Sequence, residues 1–142
     1  MPVSDYWDQL EEPEWQDFAR RWLAEIRGIA TEDEGEVGPD VVSMNFTARP
    51  ELQWRFILMA VSLAESDDEL SHIAAGPIEH LLGWHGEDYI GRVEEQAAAD
   101  PKFARTLTGV WRYKMSDEVW SRVERLKAQV GEPLRPPTGG DT

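Results

Sequence analysis

The stretch Gly76-Pro77-Ile78-Glu79-His80-Leu81-Leu82-Gly83-Trp84-His85-Gly86-Glu87-Asp88-Tyr89 gathers the residue types of a metal or acid–base site. Glu79, His80, His85 and Asp88 offer two imidazoles and two carboxylates, a set able to hold zinc or to pass a proton. Spacing argues against that chemistry. Ligands on one helix share a face at separations of three or four. His80 and His85 are five apart, and Glu79 and His80 are neighbours that diverge by about 100° on a helix. His72, the remaining histidine, precedes the Gly76-Pro77 break. No HExxH motif, G-x-S-x-G elbow or P-loop ending is present. The absence of cysteine excludes disulfides and thiolate chemistry. The chain therefore reads as a non-enzyme with no catalytic residue, metal ligand or cofactor. The alternative is a metal-dependent enzyme built on Glu79, His80 and His85.

Helix punctuation accounts for most of the same stretch. Gly76 can adopt the left-handed conformation that closes a helix, and Pro77 suits the first turn of the next. Glu79 then faces the positive end of the helix dipole. Gly83 or Gly86 releases the chain, and Glu87 and Asp88 start another helix. Trp84 and His85 are left at the end of a short helix. Because tryptophan is enriched at binding hot spots, Trp84, His85, Glu87 and Asp88 are assigned as a protein-binding group.

The elements that must position this group are helical. Trp15, Phe18, Trp22, Ile26 and Ile29 recur at three and four, with Glu12-Pro13-Glu14 as the start and Gly28 as the stop. Ser4 or Asp5 would cap a short helix before it. Residues 31–49 read as an acidic loop, within which Thr31 to Asn45 shows no lasting period. Pro50 opens an apolar helix through Glu65, and Ser66 with Glu69 forms a capping box for the next. Further helices follow over Pro77–Gly86 and Glu87–Ala99. Another spans Pro101–Lys114 with Asp100 as its cap, and the last starts after Ser116. The expected fold is all-α, about seven helices stacked as antiparallel hairpins in the outline of a HEAT-type array. One domain spans 1–130, with 50–130 as its hairpin core, and 131–142 forms a disordered Pro/Gly-rich tail. Trp15, Trp22, Trp111 and Trp120 fall on apolar stripes and are expected in the core, whereas Trp7, Trp54 and Trp84 are less securely placed.

Charge bears on partners. The net charge is −14 over 142 residues, and it is uneven. Residues 1–40 hold 12 acids and 3 bases, residues 41–100 hold 11 and 3, and residues 101–142 hold 5 and 8. Such a chain is repelled by phosphate backbones and attracts a basic protein. No direct nucleic-acid or membrane partner is expected. The start lacks the basic and apolar regions of a signal peptide, no run spans a membrane, and the location reads as cytoplasmic.

Gly76, Pro77 and Glu79, the His85-Gly86 pair, Asp100-Pro101, and the tryptophans Trp111 and Trp120 fall in one order across residues 50–124. This pattern resembles an uncharacterised bacterial family, a domain of unknown function. The resemblance implies a compact helical domain in bacteria and carries no activity. The expected function is that of a small acidic interaction protein that binds a basic partner, such as an immunity- or antitoxin-like inhibitor or a regulator. A nucleic-acid-mimicking anti-defence protein is the other version of the electrostatic reading.

Overall fold

Helix starts fall largely where the capping residues stand. A computed structural model describes residues 3–29 and 35–135, and these form eight α-helices and no strand. The helices are α1 (Val3–Asp8), α2 (Glu12–Arg27), α3 (Gly38–Thr47), α4 (Pro50–Leu63), α5 (Asp67–Ile73), α6 (Glu79–Ala99), α7 (Pro101–Leu107) and α8 (Asp117–Ala128). The fold class is all-α. Ser66, Asp100 and Ser116 each accept a backbone N–H of the first turn they cap, satisfying donors that a helix start leaves unpaired. Gly28 ends α2 at φ 77, a left-handed cap open to glycine without strain. The side chains of Ser4 and Asp5, residue 30, residues 31–34 of the acidic loop and residues 136–142 of the tail lie outside the described residues.

The core is built where α2 lies across α4. Phe56 is fully buried, with the rings of Phe18, Trp22 and Trp15 at 5.3, 5.8 and 6.1 Å. Offset and tilted aromatic pairs at such distances add to the burial of their apolar area. A second cluster forms where Trp54 of α4 meets Phe103 of α7 at 5.8 Å and Tyr89 of α6 at 6.2 Å. Trp7 and Trp54 are thus core residues. Helix α4 touches α2, α5, α6 and α7 together, so the helices form a bundle around it, whereas the units of a solenoid touch only their neighbours.

Four segments depart from the sequence expectation, each for an identifiable physical reason. Within the expected loop, residues 38–47 form α3. Its first N–H groups, those of Val37 and Gly38, donate to the carboxylate of Glu25 on α2, so its cap comes from elsewhere in the chain. At Gly76-Pro77 the chain does not stop. Ala74–Ile78 form a single π-helical turn that joins α5 to α6. A wider turn accommodates a proline that offers no N–H, and Gly76 is not left-handed. Helix α7 ends at Leu107, not near Lys114. The following segment turns at Lys114, φ 57, and leaves Trp111 74% exposed instead of in the core. Finally, residues 131–135 are pinned. Leu134 N–H donates to Thr108 Oγ1 at 2.9 Å, Arg135 N–H to Asp67 at 3.0 Å, and Arg105 holds the Glu132 carbonyl at 2.8 Å.

Candidate functional site

The stretch that looked like chemistry lies along α6 and bends it. At His85 the backbone leaves helical values, φ −135 and ψ 26, so α6 kinks there while its other residues continue the helix. Gly83 and Gly86 do not release the chain, and Glu87 and Asp88 start no new helix. Both glycines permit close approach. A Cβ at Gly83 would lie 2.4 Å from the Tyr113 carbonyl oxygen, and one at Gly86 would lie 3.0 Å from the Val119 side chain. The missing Cβ atoms let the 108–116 segment and α8 rest directly on α6. Trp84 and His85 therefore stand at a bend inside a long helix, not at the end of a short one.

The four residues assigned to binding do come together. Trp84 is 53% exposed, His85 is half-buried, and Glu87 and Asp88 are exposed. With Lys114, Ser116 and others they line a hollow of about 340 Å³ between α6 and the start of α8. The Ser116 hydroxyl donates to Glu87 at 2.8 Å. The Lys114 ammonium sits 5.0 Å over the Trp84 ring, a distance at which the ring quadrupole attracts a cation.

A second cavity, of about 200 Å³, opens on the other element beside Trp84. It is lined by Asn45, Phe46, Ala48, Gln53, Trp84 and His85. Phe46 is 59% exposed. Sequence reading missed Phe46 because it lay in a stretch taken as a loop. The spacing of buried Val41, Met44 and Ala48 was the available signal, masked by apolar Val42 and Phe46 on the outward side. Asn45 and Gln53 are 6% and 2% exposed, yet Asn45 Oδ1 and Gln53 Oε1 have no hydrogen-bond partner among the described residues. Gln53 spends its amide N–H on the Ala48 carbonyl at 2.8 Å, which fixes the orientation of its carbonyl. Leaving such a group unpaired costs about 1–3 kcal/mol.

The set proposed for metal or acid–base work is divided. Glu79 accepts the Trp111 backbone N–H at 2.9 Å. Burial raises its pKa above the ordinary glutamate value, against the opposing pull of that N–H and of Lys127. The Lys127 ammonium donates to the Val110 carbonyl at 2.8 Å and lies over the rings of Trp120 and Trp111. His80 instead packs between Phe46 at 4.6 Å and Tyr113 at 5.0 Å. Burial lowers its pKa, which favours the neutral ring. Among the described residues no three histidine or carboxylate side chains converge as a metal site. No helix among them is long and apolar enough to cross a membrane.

A family model described as a family of unknown function (DUF6869) matches residues 28–131. The chain belongs to that family. The match is wider than the stretch 50–124 on which the resemblance rested, and it takes in α3 with Asn45 and Phe46. Both cavities beside Trp84 thus lie inside the family's span. Searches of curated proteins and of solved structures each return no match.

Proposed function

We propose that this chain is a binding protein whose face between α3 and α6 docks a basic protein partner. The supporting observation is the pair Phe46 and Trp84, two large aromatics that stand exposed on the same cavity. Exposed Val42 extends this surface along α3, and the exposed carboxylates of Glu87 and Asp88 flank it. Aromatic anchors within a polar rim are the usual composition of an interaction hot spot. Residues 1–100 carry 23 acids against 6 bases, a field that speeds encounter with a cationic surface and repels nucleic acid. Action by occupancy, as an inhibitor or regulator of that partner, needs no catalytic group.

Trp84 and Phe46 are already solvent-exposed, so Trp84→Ala with Phe46→Ala leaves the core intact. The tagged parent chain and this double variant are each incubated with extract of the native host at low salt. A basic protein held by the parent chain, lost by the double variant and released by raised salt is the expected result. Identical retention by both chains, or retention indifferent to salt, overturns the reading.

A further inference from the structure

We propose that the hollow between α6 and the start of α8 is a seat for a lysine side chain of the basic partner, and that Lys114 fills it in the free chain as a built-in competitor. The incoming lysine rests on the docking reading; the seat itself stands on Lys114.

A cation already marks the site. The Lys114 ammonium lies 5.0 Å over the Trp84 ring and 5.7 Å over that of Tyr113, within the range at which a ring face attracts an ammonium. Among the described residues no hydrogen bond or ion pair holds that ammonium, so the rings position it. Lys114 is exposed and Trp84 is 53% exposed, which leaves the contact open to exchange with a cation from outside.

The rest of the wall favours the same charge. The exposed carboxylates of Glu87 and Asp88 line this hollow of about 340 Å³. Glu87 accepts the Ser116 hydroxyl at 2.8 Å, whereas Asp88 makes no hydrogen bond or ion pair among the described residues. With Lys114 swung away, the ionisable groups of the wall are these two carboxylates and the imidazole of His85, and the balance is negative in either state of that ring. An anion drawn to Lys114 meets Glu87 and Asp88 beside it. Trp84 also lines the cavity next to Phe46, so the seat and the docking face share one ring.

The backbone shows that the resident lysine is not a packing choice. Lys114, at φ 57, is the one non-glycine with positive φ among the described residues, a conformation in which an L side chain crowds its own carbonyl and which glycine adopts freely. The turn follows Tyr113, whose carbonyl oxygen rests against Gly83. An exposed lysine fills no core there, and its ammonium reaches Trp84 from that position.

The test uses the full chain labelled with ¹⁵N, a blocked lysine, Nα-acetyl-lysine-N-methylamide, as the probe, and the Trp84 indole N–H as the reporter. Lys114→Gly and Lys114→Asn remove the resident ammonium with residue types that accept positive φ, so the turn is kept. Each variant should bind the probe about threefold more tightly than the parent chain, the margin of an exposed cation–ring contact. The norleucine counterpart, which has a similar stem without the ammonium, should give no saturable shift at Trp84. Equal or weaker binding of the lysine probe by the Lys114 variants overturns the competitor. Equal binding of the norleucine probe, shifts confined to residues away from the hollow, or no saturable shift with any chain overturns the seat. Because the titration contains no partner protein, a negative extract experiment beside a positive titration rejects the docking reading alone, and the reverse pair of results rejects the seat alone.

Discussion

Glu69 and Glu79 stand ten positions apart, both withdrawn from solvent, and the molecule treats them oppositely. Glu69 on α5 is 1% exposed and fully engaged. It receives Arg27 at 2.9 Å, the Glu65 N–H at 3.1 Å and the Ser66 hydroxyl at 2.9 Å. Burial alone would raise its pKa, but these three donors outweigh it and hold the carboxyl below its ordinary value. Glu79 has one backbone donor and a lysine nearby, and burial wins. The same division runs through the molecule. At the joint of α2 and α5 every oxygen of the buried carboxylate is used, which locks two helices together. Beside the α6 bend, amides are left with acceptance to spare. Satisfied polar groups hold the frame at that joint, whereas Asn45 Oδ1 and Gln53 Oε1 have no partner among the described residues.

The comparison is broken most severely at Glu69. Glu69→Ala leaves Arg27 and two donors facing an apolar gap and should cost about 3 kcal/mol in urea unfolding. Next comes the packing that lets the 108–116 segment lie on α6. Gly83→Ala sets a methyl against the Tyr113 carbonyl and should cost about 2 kcal/mol. On the same helix Gly91 is exposed and nothing stands within 4 Å of its missing Cβ. There Gly91→Ala should raise stability by about 1 kcal/mol through helix propensity alone. A loss at both glycines would show that the effect belongs to the helix and not to the contact.

Smaller effects sharpen the contrast between used and unused groups. Asn45→Leu removes an unpaired oxygen from a buried position. It should change stability by less than about 1 kcal/mol in the favourable direction. A drop of several kcal/mol would mean that Asn45 belongs to the frame. The last test is pH. Glu69, with its folded pKa lowered, contributes stability that is present above the ordinary glutamate value and lost as pH falls through the lowered one. Glu79, with its folded pKa raised, has the opposite sign. Its contribution is present below the ordinary value and lost as pH rises through the raised one. Glu69→Gln should therefore flatten the acid limb of stability, measured by thermal melts across pH. Glu79→Gln keeps an acceptor for the Trp111 N–H and removes the buried charge, so it should raise stability at neutral pH and leave the acid limb unchanged.

Local signals were legible and remote ones were not. Ser66, Asp100, Ser116 and Gly28 act within a few residues of the backbone they serve, so their types and positions announced helix ends correctly. Helix α3 escaped notice because its cap, Glu25, sits on another helix, and because Val42 and Phe46 place apolar side chains on its exposed side. The bend at His85 was hidden for a related reason. Gly83 and Gly86 look like stops in a linear reading, yet their purpose is set by Tyr113 and Val119, thirty or more residues downstream. Trp111 was assigned to an apolar stripe whose helix ends before it, at Leu107, and of the two stripe residues that follow only Val110 turns into the core. The grouping of Trp84, His85, Glu87 and Asp88 was readable from sequence. Their neighbours Asn45, Phe46 and Gln53 required the packing of α3 and α4.

The hold of Glu25 on the start of α3 also separates two kinds of boundary. Similarity across the family begins at residue 28, but the folding unit does not. Glu25, which fastens the helix bearing Asn45 and Phe46, lies just outside that edge. So do Arg27, the partner of Glu69, and the rings of Trp15, Phe18 and Trp22 that cover Phe56. A fragment cut at the family's limits would keep both cavities in its sequence and lose the helix that keeps them in shape.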